Sequence, residues 1–225
     1  MNINETYKIV SYLVDKYQGT YLSPDDFNMV INMAQRQYLT SLVEDSGRLS
    51  NNPTPGAGQM SSLTVSETIG TFMTESTLTI TSQLANMPAD MYKTTGIRTS
   101  DNNPVKWVSD EKIASYIGSS IDAPSLTNPI FYIVGGKYKF FPSTLATATL
   151  TYIRNPATMR WGNGTTLVYD PSVYNSVSNP NGSTQPEWGD ADMNYIIYKA
   201  IGIIGINLKD GDLLRAAQMI KQGGQ

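Results

Sequence analysis

Ile130-Phe131-Tyr132-Ile133-Val134 and Lys137-Tyr138-Lys139-Phe140-Phe141 are two β-prone runs separated only by Gly135-Gly136. A two-residue link of this kind turns through positive φ, which glycine reaches without a Cβ clash, so the segment is committed to an antiparallel hairpin. No helix can run through it, and the middle of the chain is read as a small antiparallel sheet built around it. Thr77 to Thr81 alternates with period two, Met91 to Thr99 is a weaker strand candidate, and Ala148 to Arg154 offers a further strand closed by Asn155-Pro156. A short capped helix is expected between Ser109 and Ser119.

The two ends of the chain follow the helical period instead. Asn4 is placed to cap a segment with Ile9, Val10, Leu13, Val14 and Tyr17 at helical spacing, and Gly19 ends it. Ser23-Pro24-Asp25-Asp26 gives the next start a capping hydroxyl, a proline at the first helical position and an acid three residues after the cap. Phe27, Val30, Ile31, Ala34, Tyr38 and Leu42 then form the apolar stripe, with Asn28, Asn32, Gln35 and Arg36 on other faces. From Ser46 to Ser62 glycine, proline and asparagine remove all periodicity, and residues 162–187 are a similar excursion with at most one short strand at Thr166 to Tyr169.

Helix is expected again from Asp190 through Met193, Ile196, Ile197, Ala200, Ile201, Ile203 and Ile204, apolar over so wide an arc that more than one side must be buried. Gly202 and Gly205 within it suggest close approach of another backbone. A last short helix, Asp210 to Lys221, carries Leu213, Leu214, Ala217 and Ile220 on one face. The expected fold class is therefore α+β, a helical bundle of N- and C-terminal helices with an inserted small antiparallel β-sheet domain. Residues 1–45 and 188–225 form the bundle, 46–62 an exposed loop, and 63–187 a mainly β insertion with long loops.

Composition narrows the chemistry. The chain has no His and no Cys, which removes the commonest general base, its usual thiol partner and nearly all transition-metal ligand sets. Asp25/Asp26 and Asp190/Asp192 are close carboxylate pairs, but both stand at helix starts where the helix dipole stabilises negative charge, and they are read as caps. Asp210-Gly211-Asp212 lacks the other ligands of a calcium loop, and the terminal Gly223-Gly224-Gln225 is not in the basic, internal setting of a peptide-release loop. No catalytic residue, cofactor or metal site is expected, and the chain is read as a non-enzyme.

Charged residues are only 16%, against about 25% in an average soluble domain. Such a surface suits burial against other protein, although a monomer solvated by Ser, Thr and Asn would share the composition. A net charge of -3 without a Lys/Arg cluster argues against a dedicated nucleic-acid binder. Lys137 and Lys139, with Arg154 and Arg160 beyond, form a sparse basic stretch among aromatics that is read as facing solvent or a subunit. No run is long and apolar enough to span a membrane, and residence in the cytosol or in a particle assembled there is expected.

Several segments in order resemble one family. Gly19-Thr20-Tyr21-Leu22-Ser23-Pro24-Asp25-Asp26-Phe27-Asn28 with Ala34-Gln35-Arg36-Gln37-Tyr38 resembles the N-terminal helical hairpin of connector-type structural proteins of crAss-like phages. Ala123 to Tyr132, Phe141-Pro142, and Leu150-Thr151-Tyr152-Ile153-Arg154-Asn155-Pro156 with Trp161 are similar to that family's central sheet, and Ile204 to Asp210 to its C-terminal helices.

The resemblance implies a virion protein: a ring of the head-to-tail connector, or portal adaptor, in the neck or tail, assembled in the host cytoplasm. Its implied partners are further copies in a homo-dodecamer, the portal protein, adjacent ring and tail proteins, and double-stranded DNA that passes without specific binding; no membrane is implied. The candidate assembly interface is Met193, Ile197, Ile201, Ile204, Leu213, Leu214, Ala217 and Ile220. The alternative reading is a carbohydrate-binding or cell-wall-degrading tail component using Trp107, Trp161 and Trp188.

Overall fold

The computed structural model describes residues 1–19, 21–51, 67–162, 170, 172 and 182–207. In chain order the elements are α1 (Ile3–Gln18), α2 (Pro24–Asn51), α3 (residues 67–70), β1 (Met73–Thr79), β2 (Leu84–Asn86), β3 (Met91–Arg98), β4 (Lys106–Trp107), α4 (Asp110–Ile117), β5 (Ile130–Val134), β6 (Lys137–Phe141), β7 (Thr147–Arg154) and α5 (Asp190–Asn207). The chain divides into two compact units, Met1–Ser66 with Pro156–Gln225, and Glu67–Asn155.

The fold is mixed α/β, which overturns the α+β expectation of a helical bundle carrying one small antiparallel sheet. In the Glu67–Asn155 unit there are two sheets, ordered β1-β7-β3 and β2-β6-β5-β4, and β4 runs parallel to β5. The extra strands β2 and β4 are three and two residues long, too short for a periodic pattern to register. In the other unit the core is not closed by helices alone. Extended chain at 156–162 and 182–188 enters it and buries Pro156, Met159, Trp161, Ser183 and Trp188. The unit boundary therefore falls at Pro156 rather than after residue 187, and α2 continues to Asn51 through residues expected to be loop. The strand expected at Thr166 to Tyr169 lies outside the described residues.

Local chemistry fixes the helix starts. α1 is capped by Asn2 rather than Asn4: the Asn2 side chain accepts from Glu5 N–H at 2.8 Å while the Glu5 carboxylate accepts from Asn2 N–H at 3.0 Å. Gly19 ends α1 at φ 61, the left-handed position that glycine holds without strain. The Ser23 hydroxyl accepts from Asp26 N–H at 3.1 Å and so caps α2. α5 packs against both α2 and α1. A Cβ at Gly202 would meet nothing within 4 Å, so the backbone approach expected there is absent.

In the second unit β7 is the central strand of its sheet, paired antiparallel with β1 from Met73↔Ile153 to Thr79↔Thr147 and with β3 on its other side. Leu78, Ile97, Ala148, Leu150 and Tyr152 of this sheet form one buried cluster with Ala85, Phe131, Tyr138 and Phe140 of the other. Period-two alternation accounts for this: each strand sends alternate side chains to the shared core. The β5–β6 hairpin turns at Gly135 and Gly136, with φ 56 and 71. α4 lies on the opposite side of the four-stranded sheet, where Val108, Ile113 and Ile130 are buried together.

Candidate assembly surfaces

In the unit of α1, α2 and α5, three amide side chains on α2 hold the extended chain that follows β7. Asn28 accepts from Trp161 N–H at 2.8 Å and donates to Trp161 C=O at 3.3 Å. One turn on, Asn32 accepts from Met159 N–H at 2.9 Å and donates to Met159 C=O at 2.7 Å. Gln35 donates to Ala157 C=O at 3.2 Å and accepts from the Trp188 indole N–H at 3.1 Å. The spacing of four and three residues places these amides on one face of α2, and the two-residue period of an extended strand brings 161, 159 and 157 to meet them. The intervening Arg160 pairs its backbone with Thr184 instead.

Trp161 is locked by a second set of contacts, stacked on Tyr7 at 4.1 Å between ring centroids and donating its indole N–H to Asn4 at 3.1 Å. The Tyr38 phenol donates to the Asp192 carboxylate at 2.7 Å, joining α2 to the first turn of α5. Burial pushes the Tyr38 hydroxyl far above the ordinary tyrosine range, and burial does the same, more weakly, for Tyr7, Tyr138 and Tyr152. All four phenols are thus held neutral at ordinary pH. Among the described residues no group of three or more carboxylates is placed to hold a metal ion.

What this scaffold presents outward is apolar. Tyr12 and Tyr21 are 63% and 67% exposed at the α1–α2 turn and line a groove of about 420 Å³ with Asp15 and Leu22. Met29 and Met33, one turn apart on α2, are about half exposed beside a second groove of about 410 Å³ bounded by Asp25, Arg36 and Arg160. In the Glu67–Asn155 unit, Trp107 is 60% exposed and Ile133 50%, flanking a cleft of about 420 Å³ whose other wall is Thr94, Thr95 and Gly96 of β3.

The residues expected to form the assembly interface are placed differently. Met193, Ile197, Ile201 and Ile204 are buried inside their own chain, at most 4% exposed, and have no area left to give to a neighbour. Leu213, Leu214, Ala217 and Ile220 lie outside the described residues. Of the tryptophans, Trp161 and Trp188 are buried and offer no ring face to a sugar, which leaves Trp107. The amide ladder and the Met29/Met33 pair escaped the sequence reading, although both repeat at helical spacing and were open to inspection there.

No protein-family model matches the chain, and no curated protein matches it in sequence.

Proposed function

We propose that the chain is a non-enzymatic structural subunit of a tailed-phage particle, a ring of the head-to-tail connector that works by associating with copies of itself, the portal protein and neighbouring rings. The observation that carries the reading is the set of large apolar side chains left open on firmly held scaffolds: Tyr12, Tyr21, Met29 and Met33 in one unit, Trp107 and Ile133 in the other. Large apolar side chains held open in grooves are the kind of surface that a protein neighbour covers, and a surface with few charges suits such contacts. The resemblance of the helical hairpin, central sheet and C-terminal segments to connector proteins of crAss-like phages supplies the particular assembly. Closed rings arise from head-to-tail contacts between identical subunits.

Light scattering and electron microscopy of the purified chain, alone and with portal protein, test the reading. Rings or co-assemblies are expected at micromolar concentration, and a strictly monomeric chain that never enters particles overturns it. A second reading, a carbohydrate-binding tail component, rests on exposed Trp107 beside the Thr94 and Thr95 hydroxyls. Retention on cell-wall sugars that Trp107→Ala abolishes would favour it.

A further inference from the structure

We propose that the outer face of the β2-β6-β5-β4 sheet binds the phosphate backbone of duplex DNA without reading its sequence. Strand register puts Lys106 of β4, Tyr132 of β5, and Lys137, Lys139 and Phe141 of β6 on one side of this sheet, opposite the side where Phe131, Tyr138 and Phe140 enter the core. Val108, just before α4, and Ile113 on it bury Ile130 on this side, with Tyr116, Tyr132 and Phe141 packed against them. Lys106 and Lys137 are exposed and Lys139 half-buried.

Lys106 and Lys139 are held by rings rather than by carboxylates, and Lys137 stands exposed beside the Gly135-Gly136 turn. Tyr132 and Phe141 stack with an interplanar angle of 9°, and Lys139 Nζ lies 5.9 and 5.8 Å from their centroids. Lys106 Nζ lies 4.9 Å from the Tyr116 centroid and donates to its hydroxyl at 2.8 Å, which favours the charged ammonium. Among the described residues none of the three forms an ion pair, unlike the Met1 amine with Asp190 and Arg98 with Glu75. Asp122, beyond α4, acts on Lys106 from outside ion-pair range, and Asp110 and Glu111 stand at the start of α4. Seven basic and seven acidic residues balance across Glu67–Asn155, so three lysines without an ion-pair partner on one face create a local positive field on a neutral unit.

That pattern selects its ligand. Lys137 and Lys139 are two residues apart on a strand, about 6.7 Å, which is close to the separation of neighbouring phosphates along one strand of a duplex. Ammonium groups are point charges that suit phosphate from many directions. The ring faces are already occupied by the lysines, so they offer no platform for unstacked bases, and this favours duplex over single strand. With about three phosphates neutralised per chain, log K should fall with log salt at a slope of about -2.7, a loss of about 40-fold in affinity between 50 and 200 mM salt. Such a grip is weak and easily released, as a surface along which DNA slides requires.

The inference deepens the connector reading by naming the face that meets the DNA. It is tested on the full chain in solution, so its failure and a failure of ring assembly are separate results. Fluorescence anisotropy of a labelled random-sequence duplex is titrated across salt, with a single strand and poly-glutamate as the other arms. Lys106→Gln, Lys137→Gln and Lys139→Gln together are expected to flatten the slope towards zero and weaken binding at 50 mM salt at least tenfold, with thermal stability unchanged. The charge-matched set Lys8→Gln, Lys93→Gln and Lys221→Gln keeps the slope, and Lys→Arg at the three sites retains binding. The proposal is overturned if the wild-type chain does not bind duplex, if the two triple variants bind alike, or if poly-glutamate or single strand binds more tightly at equal salt.

Discussion

Asn28 and Asn32 do for the chain at 159–161 what a neighbouring strand does in a sheet, each supplying an acceptor and a donor to alternate residues, and Gln35 extends the row with a donor to Ala157 C=O. Asn32 is the central member, engaging both backbone groups of Met159 and also accepting from Gln35 Nε2 at 2.6 Å. Asn32→Ala would leave the N–H and C=O of a buried residue without partners. The expected loss is about 2–4 kcal/mol in urea unfolding, since each unsatisfied buried group costs about 1–3 kcal/mol. Neither neighbouring amide can take over, because Asn28 is engaged by Trp161 and Gln35 by Ala157 and Trp188. A loss below about 0.5 kcal/mol would show that the ladder is incidental. In the sequence these amides read as the polar side of an amphipathic helix. Their spacing was visible, but a helix pattern carries no record of what lies across from it, and the partner is more than 120 residues away.

At the scale of elements, legibility followed the strength of the local signal. The hairpin, the Ser23 cap and the Gly19 stop could be read because turn and cap chemistry is local, whereas α4 forms where it was expected although the Ser109 side chain makes no capping hydrogen bond. β2 and β4 could not, since Lys106-Trp107 is a strand only by virtue of β5 beside it. The hairpin allows a sharp check. Gly136 stands at φ 71, where a β-branched side chain is strained, so Gly136→Val should cost about 1–2 kcal/mol of stability. Asparagine tolerates this region, and Gly136→Asn should cost much less. Equal losses from the two substitutions, read as urea midpoints, would mean that backbone conformation is not the cause.

For the whole molecule, the wide apolar arc of α5 was plain in the sequence, and its meaning was not. Met193, Ile197, Ile201 and Ile204 signalled burial on several sides, and the covering surfaces prove to be α1 and α2 of the same chain rather than another subunit. Periodicity reports how much of a helix is buried but not by which molecule. The discontinuous organisation has a testable consequence. Glu67–Asn155 contains its own core of residues such as Leu78, Phe131, Tyr138, Phe140 and Leu150, and both of its sheets close within it. Its two ends also meet: Arg154 N–H donates to Phe72 C=O at 2.9 Å, and β1 and β7 pair along their whole length beside that bond. A segment whose entry and exit strands are neighbours loses little when it is cut from its host, because no loop has to be stretched to join them. Residues 67–155 expressed alone should therefore fold, with a cooperative thermal transition and the near-ultraviolet dichroism of packed Tyr138 and Phe131. A segment that stays unfolded, or melts without cooperativity, would show that its sheets depend on residues 1–66 or 156–225 for their stability.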